Sequence, residues 1–346
     1  MIHTFLYKNK FKLDSGASLP QLEIAYHTYG NLNSDKSNVI WVSHALTANS
    51  DVFAWWPGLF GENDLYNPKD YFIICVNNLG SCYGTTGPLS INPGTHEPWF
   101  SNFPQITVRD MSNTLQILKQ YLGINKIHTL IGGSQGGQIA QEWIIQYPDV
   151  TENLILIATN AQHSPWGIAF NESQRLAIKA DSTYFGNTIN GGEKGLKAAR
   201  SIALLSYRNY HTYNSTQKNN ANIKSMNHPA ASYQRYQGEK LVKRFNAYSY
   251  VRLSEAMDSH NLARARSYSI EAVLNEIEIP TLVIAVTSDI LFPPAEQMFI
   301  AKCIKSSVYK EVDSLYGHDG FLIETKQLTN HIKHFYQTKT THIENI

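Results

Sequence analysis

Ser134 stands between two glycine pairs, in Leu130-Ile131-Gly132-Gly133-Ser134-Gln135-Gly136-Gly137-Gln138. Gly132, Ser134 and Gly136 form a G-x-S-x-G pattern, in which a serine at the tip of a strained strand-to-helix turn lifts its hydroxyl above a sheet. A serine hydroxyl is a poor nucleophile at neutral pH. It needs a base to take its proton as the bond forms, and an acid to hold that base in the right tautomer. Asp289, in Thr287-Ser288-Asp289, and His318, in Gly317-His318-Asp319-Gly320, follow the serine in the order Ser, Asp, His. Asp319 competes for the acid's place, but it directly follows His318 and its side chain is directed elsewhere, so Asp289 is preferred. The chemistry is transfer of an acyl group through an acyl-serine, and these three residues serve a hydrolase and an acyltransferase equally.

Residues 127–131 form an apolar run of strand length before Ser134, and a helix with apolar Ile139, Trp143 and Ile144 follows, stopped by Pro148. Residues 38–42 read as a buried strand opening into Ser43-His44-Ala45-Leu46-Thr47-Ala48. In sites built on such an elbow, one oxyanion N–H comes from the residue after the nucleophile and the other from the loop after an early strand. Gln135 and Leu46 take those places. His44, a lone histidine at a strand end, reads as a hydrogen-bonded structural residue, and Cys82 as a quiet thiol. A half-exposed strand at 22–26 precedes these, and 71–76 is a further buried strand. The Gly- and Pro-rich loop after 71–76 is a shaped backbone near the sheet's carboxyl edge.

Thr107 and Asp110 mark a capping box for a helix with Val108, Met111, Leu115, Leu118 and Leu122 on one face, ending at Gly123. Strands at 153–158, 281–286 and 307–312 and a final helix at 321–335 continue the alternation, which argues a mostly parallel sheet flanked by helices. Between about 164 and 275 the strand signal disappears, and helical stretches at 172–179, 195–208 and 239–253 replace it. We therefore expect a core of residues 1–163 and 276–346, with 164–275 inserted as a helical lid over the serine. The many tyrosines of that segment read as packing, and the Asn-rich stretch 217–224 as an exposed loop.

With 346 residues, the chain suits one large α/β domain with an insertion, and its 29 Lys+Arg against 28 Asp+Glu leave a net charge of +1. No field of one sign favours nucleic acid or an anionic membrane, so small-molecule partners are expected. Cys75, Cys82 and Cys303 are scattered, with neither a disulfide framework nor a C-x-x-C metal pattern, which suits a reducing cytoplasm. Residues 1–14 contain no secretory h-region, and nowhere do about 18 apolar residues run together to span a bilayer.

Several longer stretches carry a resemblance: Ser43-His44-Ala45-Leu46-Thr47, NLGSCYGTTGPLSINP at 78–93, FPQITVRDM at 103–111, the elbow at 132–138, AFNESQRLA at 169–177, LSEAMDSH at 253–260 and GHDGFL at 317–322. Together they resemble the homoserine O-acetyltransferase family of the α/β-hydrolase fold over nearly the whole chain. The resemblance implies acetyl-CoA as co-substrate, with no tightly bound cofactor and no metal, and the γ-hydroxyl of L-homoserine as acceptor, in the branch leading to methionine. By position, Ser134, Asp289 and His318 match the family's triad, and Leu46 and Gln135 its oxyanion donors. The resemblance further implies that Arg175 holds the substrate carboxylate and Asp319 its ammonium, and that the protein is a homodimer through the lid. Succinyl transfer, serine as acceptor, a plain carboxylesterase and a noncatalytic binding module are the alternatives. Two positions depart from the family: Gln135 stands where Met is usual, and Ala48 where Gly is usual. The oxyanion donors are backbone groups, so neither change removes the hole, but a polar Gln135 beside it bears on acyl preference and water access.

Overall fold

The computed structural model describes residues 1–219, 228–266 and 268–343. The part of the Asn-rich stretch from residue 220 onward lies outside them. Eight strands form one sheet: β1 (Ile2–Tyr7), β2 (Leu22–Tyr29), β3 (Val39–Ser43), β4 (Phe72–Val76), β5 (Ile127–Gly133), β6 (Thr151–Ile157), β7 (Thr281–Val286) and β8 (Ser307–Val312). Their order across the sheet is β1-β2-β4-β3-β5-β6-β7-β8. β1 pairs antiparallel with β2, and β2 antiparallel with β4, while every later pairing is parallel. β1 is an addition to the sequence reading: its outer residues are largely exposed, so the period-2 signal of a half-buried strand is faint there.

The longer helices are α1 (Val108–Tyr121), α2 (Gln135–Gln146), α3 (Pro165–Ala180), α4 (Glu193–Tyr207), α5 (Tyr210–Thr216), α6 (Pro229–Val242), α7 (Ala247–Asp258), α8 (Pro294–Cys303) and α9 (Thr325–Ile343). Alternate residues of the central strands feed two cores. Trp41, Leu130, Leu154 and Val283 pack with Met111 and Leu115 of α1 and Ile139 and Trp143 of α2, whereas Ile40, Val42, Ile131, Ile155 and Ile284 pack with Leu328, Ile332 and Phe335 of α9. Each such fully buried aliphatic side chain stabilises the fold by about 1.5–3 kcal/mol. With both faces covered, the central strands β3, β4 and β7 are nearly continuous apolar runs rather than alternating.

The capping box of α1 is formed: Thr107 accepts from the Asp110 N–H, and the Asp110 carboxylate accepts from the Thr107 N–H. Helices α3 to α7 all lie between β6 and β7 in the chain. The helix expected over 239–253 is two helices, because Asn246 ends the run. Its side chain accepts from the Ser249 N–H and caps α7, so the chain turns at 243–246. The final helix is likewise broken at Glu324, between a short turn at Gly320–Ile323 and α9.

Candidate active site

Four connections at the carboxyl edge of the sheet, after β3, β5, β7 and β8, converge on one point. This is where open α/β sheets bind ligands. Ser134 itself has φ +56° and ψ −128°, a region rarely adopted by a residue with a side chain, and the turn that holds it is over-determined. Its N–H donates to Ile157 O at 3.0 Å, and its carbonyl accepts from the Thr159 hydroxyl at 2.8 Å and from the Gly137 N–H at 2.9 Å. The flanking glycines are required by space. A Cβ on Gly136 would overlap the Ser43 carbonyl, and one on Gly132 would overlap the Gly136 carbonyl, so the elbow sits directly against the end of β3.

The Ser134 hydroxyl lies 2.9 Å from His318 Nε2, and His318 Nδ1 lies 2.6 Å from Asp289 Oδ2. The other carboxylate oxygen, Asp289 Oδ1, accepts from the N–H groups of Leu291 (2.8 Å) and Phe292 (2.9 Å), which fixes the plane of the carboxylate. His318 sits in a single turn, Gly317–Asp319, entered through Gly317 at φ +62°, whose N–H donates to Ser288 Oγ. Phe292 stacks on the imidazole at 5.0 Å, and Phe321 meets it edge-on at 5.3 Å. That apolar enclosure disfavours the imidazolium, but the Asp289 charge and hydrogen bond, with a further contribution from Asp319, outweigh it. The net result is an imidazole pKa above its ordinary value.

His44 is fully buried, with Nδ1 donating to Ala45 O at 2.8 Å and Nε2 accepting from the Asn78 N–H at 3.1 Å. Burial pushes its pKa down to about 4, so it is a neutral brace between the loops after β3 and β4. Leu46 lies in the braced loop, and Gln135, as the first residue of α2, has a backbone N–H with no partner inside the helix. The Gln135 side chain does not line the cavity described below. Its Nε2 donates to Leu253 O on α7 at 2.9 Å, so the polar departure ties the elbow to the overlying helices. Burial raises the Cys82 thiol to about 11, and its Sγ donates to Arg244 O.

A cavity of about 410 Å³ opens on Ser134 and His318. Leu46, Ala48, Trp55, Arg200, Tyr207 and Asp319 are among its lining residues. Arg175 is not among its lining residues, contrary to the expectation above. Its buried guanidinium is held by Asp258 at 2.6 Å and Glu172 at 2.7 Å, with Ser254 Oγ at 3.3 Å from Nη1. A cation this far from water persists only with such compensation. Two arginines do line the cavity, Arg244 and, on α4, Arg200, whose guanidinium lies over the Tyr207 ring at 5.3 Å to the centroid. Arg200 and Tyr207 are seven residues apart, two helical turns, and so share one face. That pairing was the available signal, and it is faint, because the same helix carries Lys194 and Lys197 as well. Asp319 lines the same cavity and pairs with Arg208 at 3.2 Å.

Residues 38–325 match the family model described as the alpha/beta hydrolase fold, the class to which this sheet order and elbow belong. The homoserine O-acetyltransferase of Cyclobacterium marinum is 46% identical over 332 residues, covering 96% of this chain and 94% of its own. That of Chlorobaculum parvum is 43% identical over 325 residues, covering 93% of this chain and 91% of its own. Among solved structures, homoserine O-acetyltransferase from Bacillus anthracis superposes with a TM-score of 0.89 at 26% identity, covering 97% of both chains. The chain belongs to the homoserine O-acetyltransferase family of α/β hydrolases.

Proposed function

We propose that this protein is a homoserine O-acetyltransferase that moves an acetyl group from acetyl-CoA to the γ-hydroxyl of L-homoserine through an acetyl-Ser134 intermediate. The observation that carries the reading is a cavity in which a nucleophile–base–acid series shares its lining with a carboxylate, Asp319, and with cations of which Arg200 is one. A hydrolase has no use for that charge pair. An amino-acid acceptor does, since a guanidinium suits its carboxylate and a carboxylate its ammonium.

In the first half-reaction Ser134 Oγ attacks the thioester carbonyl while His318 Nε2 takes its proton. The oxyanion is held by the N–H groups of Gln135 and Leu46, and the CoA sulfur leaves with the proton from the imidazolium. In the second, His318 takes the proton of the homoserine hydroxyl as it attacks the acetyl carbonyl, and Ser134 leaves with that proton. Incubating the protein with acetyl-CoA or succinyl-CoA, each with homoserine or serine, and weighing the products tests the assignment. O-acetylhomoserine as the main product supports it, and free acetate alone would replace it with an esterase.

Selectivity against water must come from positioning, because well-oriented groups reach effective molarities of about 10⁵ M or more. Arg200→Ala is therefore expected to raise the homoserine KM and to shift product from acetylhomoserine towards acetate, while acylation of Ser134 stays nearly unchanged. Arg175→Ala should behave differently. Leaving Asp258 uncompensated costs about 3–5 kcal/mol of stability, seen as a lowered Tm, with no selective change in the transfer-to-hydrolysis ratio. An altered ratio in the Arg175 variant alone would restore the carboxylate-binding role to it.

His318 must be neutral to accept the serine proton, and its pKa is raised. CoA release in the first half-reaction should then rise with pH to a plateau, its midpoint above the ordinary histidine value of about 6.5. The sign for stability is opposite: the contribution from this raised pKa is full below about 6.5 and is lost as pH climbs through the folded-state value. Rapid-quench CoA release across pH checks the first, and a midpoint below 6.5 would contradict it.

Exposed Trp166 and Leu176 on α3 and Leu205 on α4 support the expectation of a homodimer through these helices. No described helix is long and apolar enough to cross a membrane.

A further inference from the structure

The cavity holds more positive charge than an amino-acid acceptor uses. Besides Arg200, its lining includes Lys240, near the end of α6, and Arg244, just beyond it. Both are solvent-exposed, whereas Ser134 is 5% exposed, so they stand at the outer end of the cavity and the serine at its floor. Lys240 makes no ion pair among the described residues, and the neighbouring Glu239 is engaged by Lys197 at 3.1 Å. Arg244 is held in place: its Nη1 donates to Thr47 O, in the loop that carries Leu46, and to the Tyr83 hydroxyl at 2.6 Å. Neither of these acceptors is charged. The cation is thus fixed at the rim with its charge uncompensated, and Lys243 continues the basic stretch into an adjoining cavity that Arg244 also lines.

We propose that Lys240 and Arg244 form the donor subsite that receives the phosphate groups of acyl-CoA. The inference rests on the acyl-CoA reading above. The thioester carbonyl has to reach Ser134 at the floor, so whatever meets two exposed cations at the rim is the far end of the donor, and in CoA that end is polyanionic. A carboxylate on the acyl group, as in succinyl-CoA, would have to be bound near the floor instead. Arg244 also couples donor binding to the site, since the group that meets phosphate is bonded to the loop bearing the oxyanion donor Leu46.

The test compares acetyl-CoA with S-acetyl-N-acetylcysteamine, which presents the same carbonyl and leaving sulfur without any phosphate. Wild-type protein should prefer acetyl-CoA in kcat/KM, with the preference weakened by added salt. Lys240→Glu should lower the ratio of the two kcat/KM values about tenfold or more, as loss and reversal of a charge-assisted contact does. Arg244→Gln should lower the same ratio; it disturbs the Thr47 contact too, so only the ratio, not the absolute rate, reports on phosphate. An unchanged ratio in both variants, or a wild type indifferent to the phosphates, would overturn the subsite while leaving the transferase reading intact. Loss of succinyl relative to acetyl transfer from N-acetylcysteamine thioesters in Lys240→Glu would overturn it in favour of an acyl-carboxylate site. A wild type that accepts neither thioester would refute the underlying acyl-CoA reading itself.

Discussion

Ser134→Ala is expected to lose acyl transfer by about 10⁶-fold, the scale on which removal of a nucleophile acts in serine enzymes, with the fold retained. The hydroxyl's hydrogen bond is to His318 Nε2, and the backbone contacts that hold the elbow run through the Ser134 N–H and carbonyl, which alanine keeps. Alanine must still adopt the same positive φ, a strain the serine already bears. Intact-mass measurement of the wild type with acetyl-CoA and no acceptor should show one acetyl adduct on Ser134, absent from the variant. Cys82 is the competing nucleophile to watch, and its half-buried thiol, raised to about 11, is almost wholly protonated at neutral pH. An adduct on Cys82, or undiminished transfer by the alanine variant, would refute the assignment.

Asp289→Asn should cost about 10⁴ in turnover, and the hydrogen bonds around the carboxylate explain why. Oδ1 accepts from two backbone N–H groups, of Leu291 and Phe292. An asparagine keeps those bonds only by leaving its carbonyl oxygen there, which turns its NH₂ towards His318 Nδ1. Nδ1 must then accept, the ring proton moves to Nε2, and the face towards Ser134 becomes a donor where an acceptor is needed. Both half-reactions slow together, since each begins with proton abstraction by Nε2. The same change removes the charge that raises the His318 pKa while the apolar enclosure remains, so the acidic limb of the CoA-release profile should move to lower pH as its plateau falls. A normal plateau, or a limb displaced upward, would show that Asp289 is not the group that orients the imidazole. Asp319→Asn provides the contrast, with loss expected chiefly in homoserine use and little change in the first burst of CoA.

Much of this was legible in the sequence because it is local. A strand, a glycine-flanked serine and a helix occupy consecutive residues, and so do the capping box of α1 and the apolar runs of β3 to β7. Naming Asp289 and His318 needed only the rule that chemistry in an open α/β sheet gathers at strand ends, and they lie in the connections after β7 and β8. The faint edge strand β1 and the turn at 243–246 escaped, the first because none of its residues is fully buried, the second because one asparagine cap outweighs a continuous helical pattern.

What the sequence by itself determined, then, was the sheet's parallel core, the elbow, and the residue types available at its carboxyl edge. Tertiary structure alone decided which arginines line the cavity at Ser134. Arg175 and Arg200 both lie on helices between β6 and β7, and nothing in their neighbours along the chain separates a buried ion pair from a cavity wall. The choice depends on how α3 and α4 are rotated against α7, which brings Asp258 and Ser254 to Arg175 and leaves Arg200 in the lining of the cavity that holds Ser134. Such rotations follow from the packing of many apolar side chains from distant segments, and a one-residue change of helical face, about 100°, exchanges core for cavity.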